Sequence, residues 1–175
     1  MKIIVCLGNP GKKYLKNRHN IGFIIGDYLI SRFSFKIKKK DSLFWLGEGE
    51  VESKKTFLLF PQTYMNSSGK AVQKALHFYQ EKPEDLIVIH DEIELPFGQI
   101  KIKNGGGHKG HNGLRSIMKE VGSANFHRFR FGVGRPENDR IPVADYVLSN
   151  FMAEEIAEIK KLLPSIEKEV RSLII

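Results

Sequence analysis

The hydrophobic positions fall into continuous runs, alternating stretches and helical stripes, and their order predicts the elements. Residues 3–7 form an unbroken apolar run ending in Gly8-Asn9-Pro10-Gly11, the pattern of a buried strand that breaks into a loop. After a polar loop reaching Asn20, a residue suited to an N-cap, Ile21, Phe23, Ile24, Tyr28 and Leu29 recur at helical spacing. Residues 44–51 and 56–60 read as two strands of a hairpin, with Ser53-Lys54-Lys55 as the turn. Ser67-Ser68-Gly69 opens a helix running to about Tyr79, and residues 86–89 form a second buried run that delivers His90-Asp91-Glu92 at its end. Residues 100–103 alternate like a half-exposed strand, and a Gly-rich run from Gly105 to Gly113 leads into a helix over about 114–121. Residues 128–133 alternate again, and an amphipathic helix over 154–174 follows, with an interruption expected at Pro164.

Strands and helices that alternate without repeats, low-complexity tracts or a linker predict one α/β domain over residues 1–175. The hairpin makes the sheet mixed, so the expected architecture is a twisted mixed sheet flanked by helices, α/β/α. In such sheets the ligand crevice lies beyond the carboxyl ends of the strands. Three polar segments fall where predicted strands end: 8–20, 90–92 and 105–112.

Composition narrows the class. The 175 residues include 28 Lys+Arg, 20 Asp+Glu and one cysteine, so a disordered chain is excluded and no disulfide framework or four-ligand zinc pattern exists. A reducing cytoplasm is the expected compartment, and no apolar run is long enough to predict a membrane span. The positive charge is local: residues 1–40 hold ten Lys or Arg and one acid, Asp27. Residues 99–136 hold eight Lys or Arg and one acid, Glu120. Two basic segments in an otherwise neutral chain point to a polyanion, with nucleic acid ahead of a membrane surface.

The polar clusters exclude several chemistries. Gly105-Gly106-Gly107-His108-Lys109-Gly110 fits a dinucleotide fingerprint in letters, but no strand ending in an acid follows about twenty residues on. What remains is a Gly-rich turn able to offer backbone N–H groups to an anion, or simply a flexible turn. His108 and His111 are spaced for a metal pair, yet no third ligand is marked and HExxH is absent. The serine elbow GxSxG is missing, and Cys6 inside an apolar strand is a poor nucleophile. A water-activating base is left: His19, in a polar loop, with Asp91 able to hold its other ring nitrogen. Asn9, Asn66 and Asn112 could supply neutral amide donors, although each residue by itself has an ordinary capping or turn role open to it.

Taken together, Val5-Cys6-Leu7-Gly8-Asn9-Pro10-Gly11 with Tyr14 and Arg18-His19-Asn20, then Tyr64-Met65-Asn66-Ser67-Ser68-Gly69, then His90-Asp91-Glu92, then residues 105–114, resemble the bacterial-type peptidyl-tRNA hydrolase family in order and spacing. The resemblance extends over about residues 1–152. It implies a monomeric cytoplasmic esterase, without metal or cofactor, that cleaves the ester between a peptide and the terminal ribose of tRNA and so recycles tRNA. By the same resemblance His19 is the base and Asp91 its stabiliser, and Asn9 distinguishes a blocked amino group from a free one. Tyr14, Tyr64, Asn66 and Asn112 contact substrate near the ester, Met65 lines the channel, and Lys103 and Arg130 clamp a tRNA phosphate. Three positions depart from the family pattern: Asn17 where Thr is common, Glu94 where Asp is common, and Lys109 where Gly is common. The competing reading from another class is a non-catalytic RNA-binding module of similar fold; retention of His19, Asp91 and the three asparagines favours the enzyme.

Overall fold

The run at residues 3–7 is apolar at every position because its strand is covered on both faces. In the computed structural model, which describes residues 1–175, Ile4 and Cys6 point into one hydrophobic layer, while Ile3, Val5 and Leu7 point into the other. This strand, β1 (Lys2–Cys6), leads through two 3-10 turns to α1 (Ile21–Arg32), after which come β2 (Lys36–Lys40), β3 (Phe44–Val51) and β4 (Lys54–Pro61). Then follow α2 (Ser68–Tyr79), β5 (Leu86–Glu92), β6 (Ile100–Asn104), α3 (Asn112–Val121), β7 (His127–Gly132), α4 (Val143–Val147) and α5 (Ala153–Ile174).

The seven strands form one mixed sheet in the order β2-β3-β4-β1-β5-β7-β6. β1 runs parallel to β4 and β5, and β5 parallel to β7, whereas β2, β3 and β6 pair antiparallel. α1 and α5 cover one face over Ile4, Cys6, Leu58 and Phe129, and α2 and α3 cover the other over Val5, Leu59 and Val88. The predicted mixed α/β/α architecture is therefore what the chain adopts. From β1 the chain fills one side of the sheet from the edge inward, β2 to β3 to β4, and then the other, placing β5 beside β1 before β6 takes the far edge and β7 the space between. The carboxyl ends of β1 and β5 thus form the crevice at which such sheets bind ligands.

Four details differ from the sequence reading. β2, Lys-Ile-Lys-Lys-Lys, carries no strand-like alternation, yet it pairs with β3 as an exposed edge strand, where lysines and a register shift between Ile37 and Lys39 discourage further strand addition. The hairpin turn lies at Glu52-Ser53, both at positive φ (51° and 59°), and Lys54 already belongs to β4; two positive-φ residues give the turn whose twist suits a tight hairpin. α4 was not expected. Pro164 does not interrupt α5, which runs unbroken from Ala153 to Ile174: the proline is exposed, and Ile159, Ile166, Val170 and Ile174 are buried on either side of it. That burial outweighs the backbone hydrogen bond a proline removes.

Candidate active site

The site is built where β1 and β5 end. The Leu7 N–H extends the ladder to the Ile89 carbonyl, and the chain then leaves the sheet through Gly8-Asn9-Pro10. It returns in a 3-10 turn, Arg18–Asn20, that seats α1 directly on the strand ends. Gly22 permits this approach: a Cβ there would lie 2.5 Å from the backbone N and O of Leu7. The turn buries His19 (8% exposed) against Asp91 (3% exposed), which β5 delivers from the other strand.

Asp91 accepts two imidazole N–H donors. His19 Nδ1 lies 2.8 Å from Oδ2 and 2.9 Å from Oδ1, and His111 Nε2 lies 2.8 Å from Oδ1. His111 stands at the N-cap of α3, where its Nδ1 accepts from the N–H groups of Gly113 (3.1 Å) and Leu114 (3.2 Å). A nitrogen that accepts carries no proton, so the His111 proton is on Nε2, facing Asp91. The same logic puts the neutral His19 proton on Nδ1 and leaves Nε2 with a lone pair.

The charges follow from this bonding. Burial alone would raise the Asp91 pKa, but the charges and hydrogen bonds of His19 and His111 outweigh it and hold the carboxyl well below the usual range. For His19, burial works against the imidazolium, yet the Asp91 charge and hydrogen bond prevail and its pKa is raised. His90, adjacent in sequence, shows the opposite outcome: fully buried and facing His111, it is pushed down to about 3 and stays neutral. His19, Asp91 and His111 bring potential ligand atoms within 4.8 Å of one another. Both nitrogens facing Asp91 carry protons, however, so this donor set is arranged to hold and move a proton. His108, the expected partner of His111, instead accepts from the Gly110 N–H within its own loop (2.9 Å).

A second network holds the amides. Asn20 does not cap α1 with its side chain; its amide grips the Asn9 backbone, Oδ1 accepting from the Asn9 N–H and Nδ2 donating to the Asn9 carbonyl, both at 2.9 Å. Asn9 Oδ1 accepts from the Met65 N–H at 2.6 Å, which orients the Asn9 Nδ2 donor away from that bond. The 3-10 turn Met65–Ser67 thereby docks on the β1 loop, with Met65 buried and Asn66 exposed beside it. Tyr14 and Tyr64 meet edge to face, ring centroids 6.3 Å apart. Asn112 lines a cavity of about 370 Å³ together with His19, Asp91, His111, Lys109 and Val143 of α4.

Lys103 and Arg130 border a smaller neighbouring pocket with Gly107 and His108. The alternation over residues 128–133 predicts that Arg130 and Arg128 emerge side by side as a cationic patch, which the structure corrects. Arg128 is 2% exposed and donates to the carbonyls of Gly106 and Gly107 (2.6 Å each) and Ala124 (3.3 Å), which fastens the Gly-rich loop. Lys109 has φ 47°, a left-handed conformation that is strained for a side chain and free for glycine. Glu94, another departure from the family pattern, pairs with Arg135.

Three residues carry more of the site than their letters indicated. In the sequence His111 reads as half of a metal pair within the 105–114 block, and Asn20 as an N-cap beside His19. Arg18 was a letter in a motif. Its buried guanidinium lies over the ring of Tyr146, 4.6 Å from the centroid, and pairs with Glu155 at 2.8 Å. It also donates to Ser149 Oγ (2.7 Å) and the Asn150 carbonyl (2.6 Å). Arg18 thus ties the His19 turn to α4 and α5. Their position directly beside His19 and Asn112 in the motif was the available signal.

Comparison with known proteins assigns the fold and the family. The family model described as peptidyl-tRNA hydrolase matches residues 3–175. The chain is 47% identical over 173 residues to peptidyl-tRNA hydrolase of Geotalea daltonii, covering 99% of this chain and 90% of the relative. It is 48% identical over 162 residues to that of Geobacter sulfurreducens, covering 93% and 83%. The crystal structure of peptidyl-tRNA hydrolase from Acinetobacter baumannii superposes with a TM-score of 0.91 at 36% identity, covering 99% of this chain and 88% of that one. With a family model spanning nearly its whole length and relatives at this identity, the chain belongs to the peptidyl-tRNA hydrolase family.

Proposed function

We propose that His19, held by Asp91, is the general base with which this member of the family hydrolyses peptidyl-tRNA. The observation that carries the reading is the bonding of Asp91: both oxygens face imidazole N–H groups, leaving His19 Nε2 as a lone-pair site in the crevice. His19 Nε2 takes a proton from water as the oxygen attacks the ester carbonyl. The imidazolium so formed is stabilised by Asp91 and gives the proton to the ribose oxygen as the ester C–O bond breaks, which leaves the peptide acid and the ribose hydroxyl. Charge that develops on the carbonyl oxygen is met by amide donors of Asn9, which the Met65 N–H holds in orientation, and of Asn66 and Asn112. Asn9 also reads the acylation of the substrate's amino group, through the acyl carbonyl oxygen. Because its oxygen is engaged by the Met65 N–H, the free NH₂ can only donate: it finds an acceptor in the acyl carbonyl of a blocked substrate and none on a free ammonium.

Lys103 and Arg130 serve as the phosphate clamp, on the β6–β7 flank of the base. Tyr14, Tyr64 and Met65 form the wall past which the peptide leaves. The protein acts as a monomer in the cytoplasm, with no cofactor; no helix is long and apolar enough to cross a membrane. The test is incubation of the purified protein with N-blocked and free aminoacyl-tRNA, with His19→Ala alongside. Cleavage of the blocked substrate alone is expected, and a fall of about 10²–10⁴-fold in His19→Ala at nearly unchanged tRNA affinity. Wild-type rates in the variant would remove His19 from the mechanism.

A further inference from the structure

A groove of about 270 Å³ lies at the same end of the sheet as the base, on the face covered by α1. Phe60, at the end of β4, and Trp45, its partner across the β3–β4 ladder, form the floor. Phe23 and Ile24 of α1 form one side, and Leu15 closes it from the β1 loop. Ile37 and Lys40 of β2 line the groove opposite α1, so it runs between the helix and the β2–β3 margin of the sheet. Trp45 is 39% exposed and Leu15 58% exposed, so this apolar surface is open to solvent without a partner in the fold.

Resting on the peptidyl-tRNA reading above, we infer that this groove is a distal subsite that takes apolar side chains of the substrate's peptide. Direction supports it first. The cations proposed for tRNA lie on β6 and β7, on one flank of β1, and the groove lies on β4 and β3, on the other. Asn9, at the amino side of the scissile ester, lies between them. Continuity supports it next. Leu15 follows Tyr14, Gln62 of the groove precedes Tyr64 by two positions, and the Phe23 ring packs under Gly8, 2.7 Å from where a Cβ would stand. A chain leaving Asn9 past the Tyr14–Tyr64 pair therefore enters the groove.

Reach and size agree as well. β4 and β3 lie about 5 and 10 Å from β1 across the sheet, which an extended peptide covers in about three residues. A dry cavity of about 150 Å³ accommodates a benzene ring, so the groove has room for roughly two apolar side chains. Asp27 and Lys40 stand in its lining with opposite charges. The mouth favours neither sign, and selectivity falls on apolar area. The subsite therefore discriminates among peptides by what they bury, while the ester chemistry at His19 stays the same for all.

The experiment compares three substrates on one tRNA: an N-acetylated single residue, an N-acetylated pentapeptide with leucines at the third and fourth residues from the ester, and the same pentapeptide with serines there. For the wild type, kcat/KM for the leucine peptide should exceed that for the serine peptide about five- to tenfold, through KM. In Leu15→Ser/Trp45→Ala the ratio should fall to about one. A ratio near one in the wild type, or one that survives in the double variant, overturns the subsite while leaving the esterase reading intact. Failure of all three substrates to be cleaved removes the esterase reading and the subsite with it.

A second measurement needs no variant. A benzophenone side chain at the fourth residue should cross-link to the segments containing Leu15 or Trp45, and attachment elsewhere overturns the proposal. So does sedimentation showing a wild-type dimer that Trp45→Ala dissolves, because the groove would then be filled by a second copy of the chain.

Discussion

The two halves of the candidate site are held in opposite ways. At the base, the carboxylate is engaged inside the protein: Asp91 is nearly inaccessible and both of its oxygens accept from imidazoles. At the clamp, the cations are left wanting: Lys103 forms no ion pair, and Arg130 reaches Glu92 only at 3.9 Å, with its Nε unpartnered. Arg128 on the neighbouring register position shows the contrast within one pair of strands, since its guanidinium is consumed by the Gly-rich loop. Groups that perform chemistry are fixed when the chain folds, in a low-dielectric pocket where small displacements matter. Groups that grip a polyanion are half-buried at the pocket edge and left uncommitted, so their charge remains available to a phosphate.

The strongest test of that contrast is Asp91→Asn, which keeps the shape of the base and removes its charge. Turnover should fall by about 10²–10⁴-fold, because the amide no longer fixes the His19 tautomer or stabilises the imidazolium. The pH profile gives the sign. The active His19 is neutral, and Asp91 raises its pKa, so in the wild type activity should be lost on acidification through a pKa above the ordinary value of about 6.5. In Asp91→Asn the opposing charge is gone while burial remains, so the acid limb of kcat/KM should move to lower pH. An unmoved limb would show that Asp91 does not govern the base.

A smaller effect, of a different kind, is expected at the clamp. Lys103→Ala/Arg130→Ala should shallow the dependence of log binding constant on log salt by roughly 1–2 units. Turnover at saturating substrate should be kept. A full salt slope in the double variant, or equal losses on whole peptidyl-tRNA and on a terminal-nucleotide substrate, would dissolve the distinction between gripping and chemistry.

Lys109 sharpens the comparison at its boundary, since it lines both pockets yet belongs to neither the base nor the clamp. Its left-handed backbone is the conformation a glycine adopts freely, which accounts for glycine being common there in the family. Lys109→Gly should raise stability by up to about 1 kcal/mol, offset in part by the freedom glycine gains in the unfolded chain. The corresponding rise in Tm is about 2–4 °C for a chain of this size. A fall in Tm would mean that the lysine side chain holds the loop.

The sequence by itself determined the elements whose signals are local. β1 and β5 are continuous apolar runs because both of their faces are covered, and the polar triplets that follow them lie where the sheet ends. The resemblance added which of those polar residues belong together. Tertiary structure decided the rest. β2 pairs only because β3 offers an edge, and nothing in Lys-Ile-Lys-Lys-Lys signals it. Pro164 is carried within α5 because burial on both sides holds the helix together. His111 and Asp91, twenty positions apart, become partners only once α3 packs against the end of β5. Arg128 and Arg130 lie on the same strand face with the same charge, yet one is structural and the other free, according to which backbone carbonyls come within reach. Periodicity and turn chemistry act over a few residues and can be read along a chain, whereas the partner of a buried polar group is set by whichever segment packing brings beside it, where leaving the group unpaired is too costly for any other arrangement to persist.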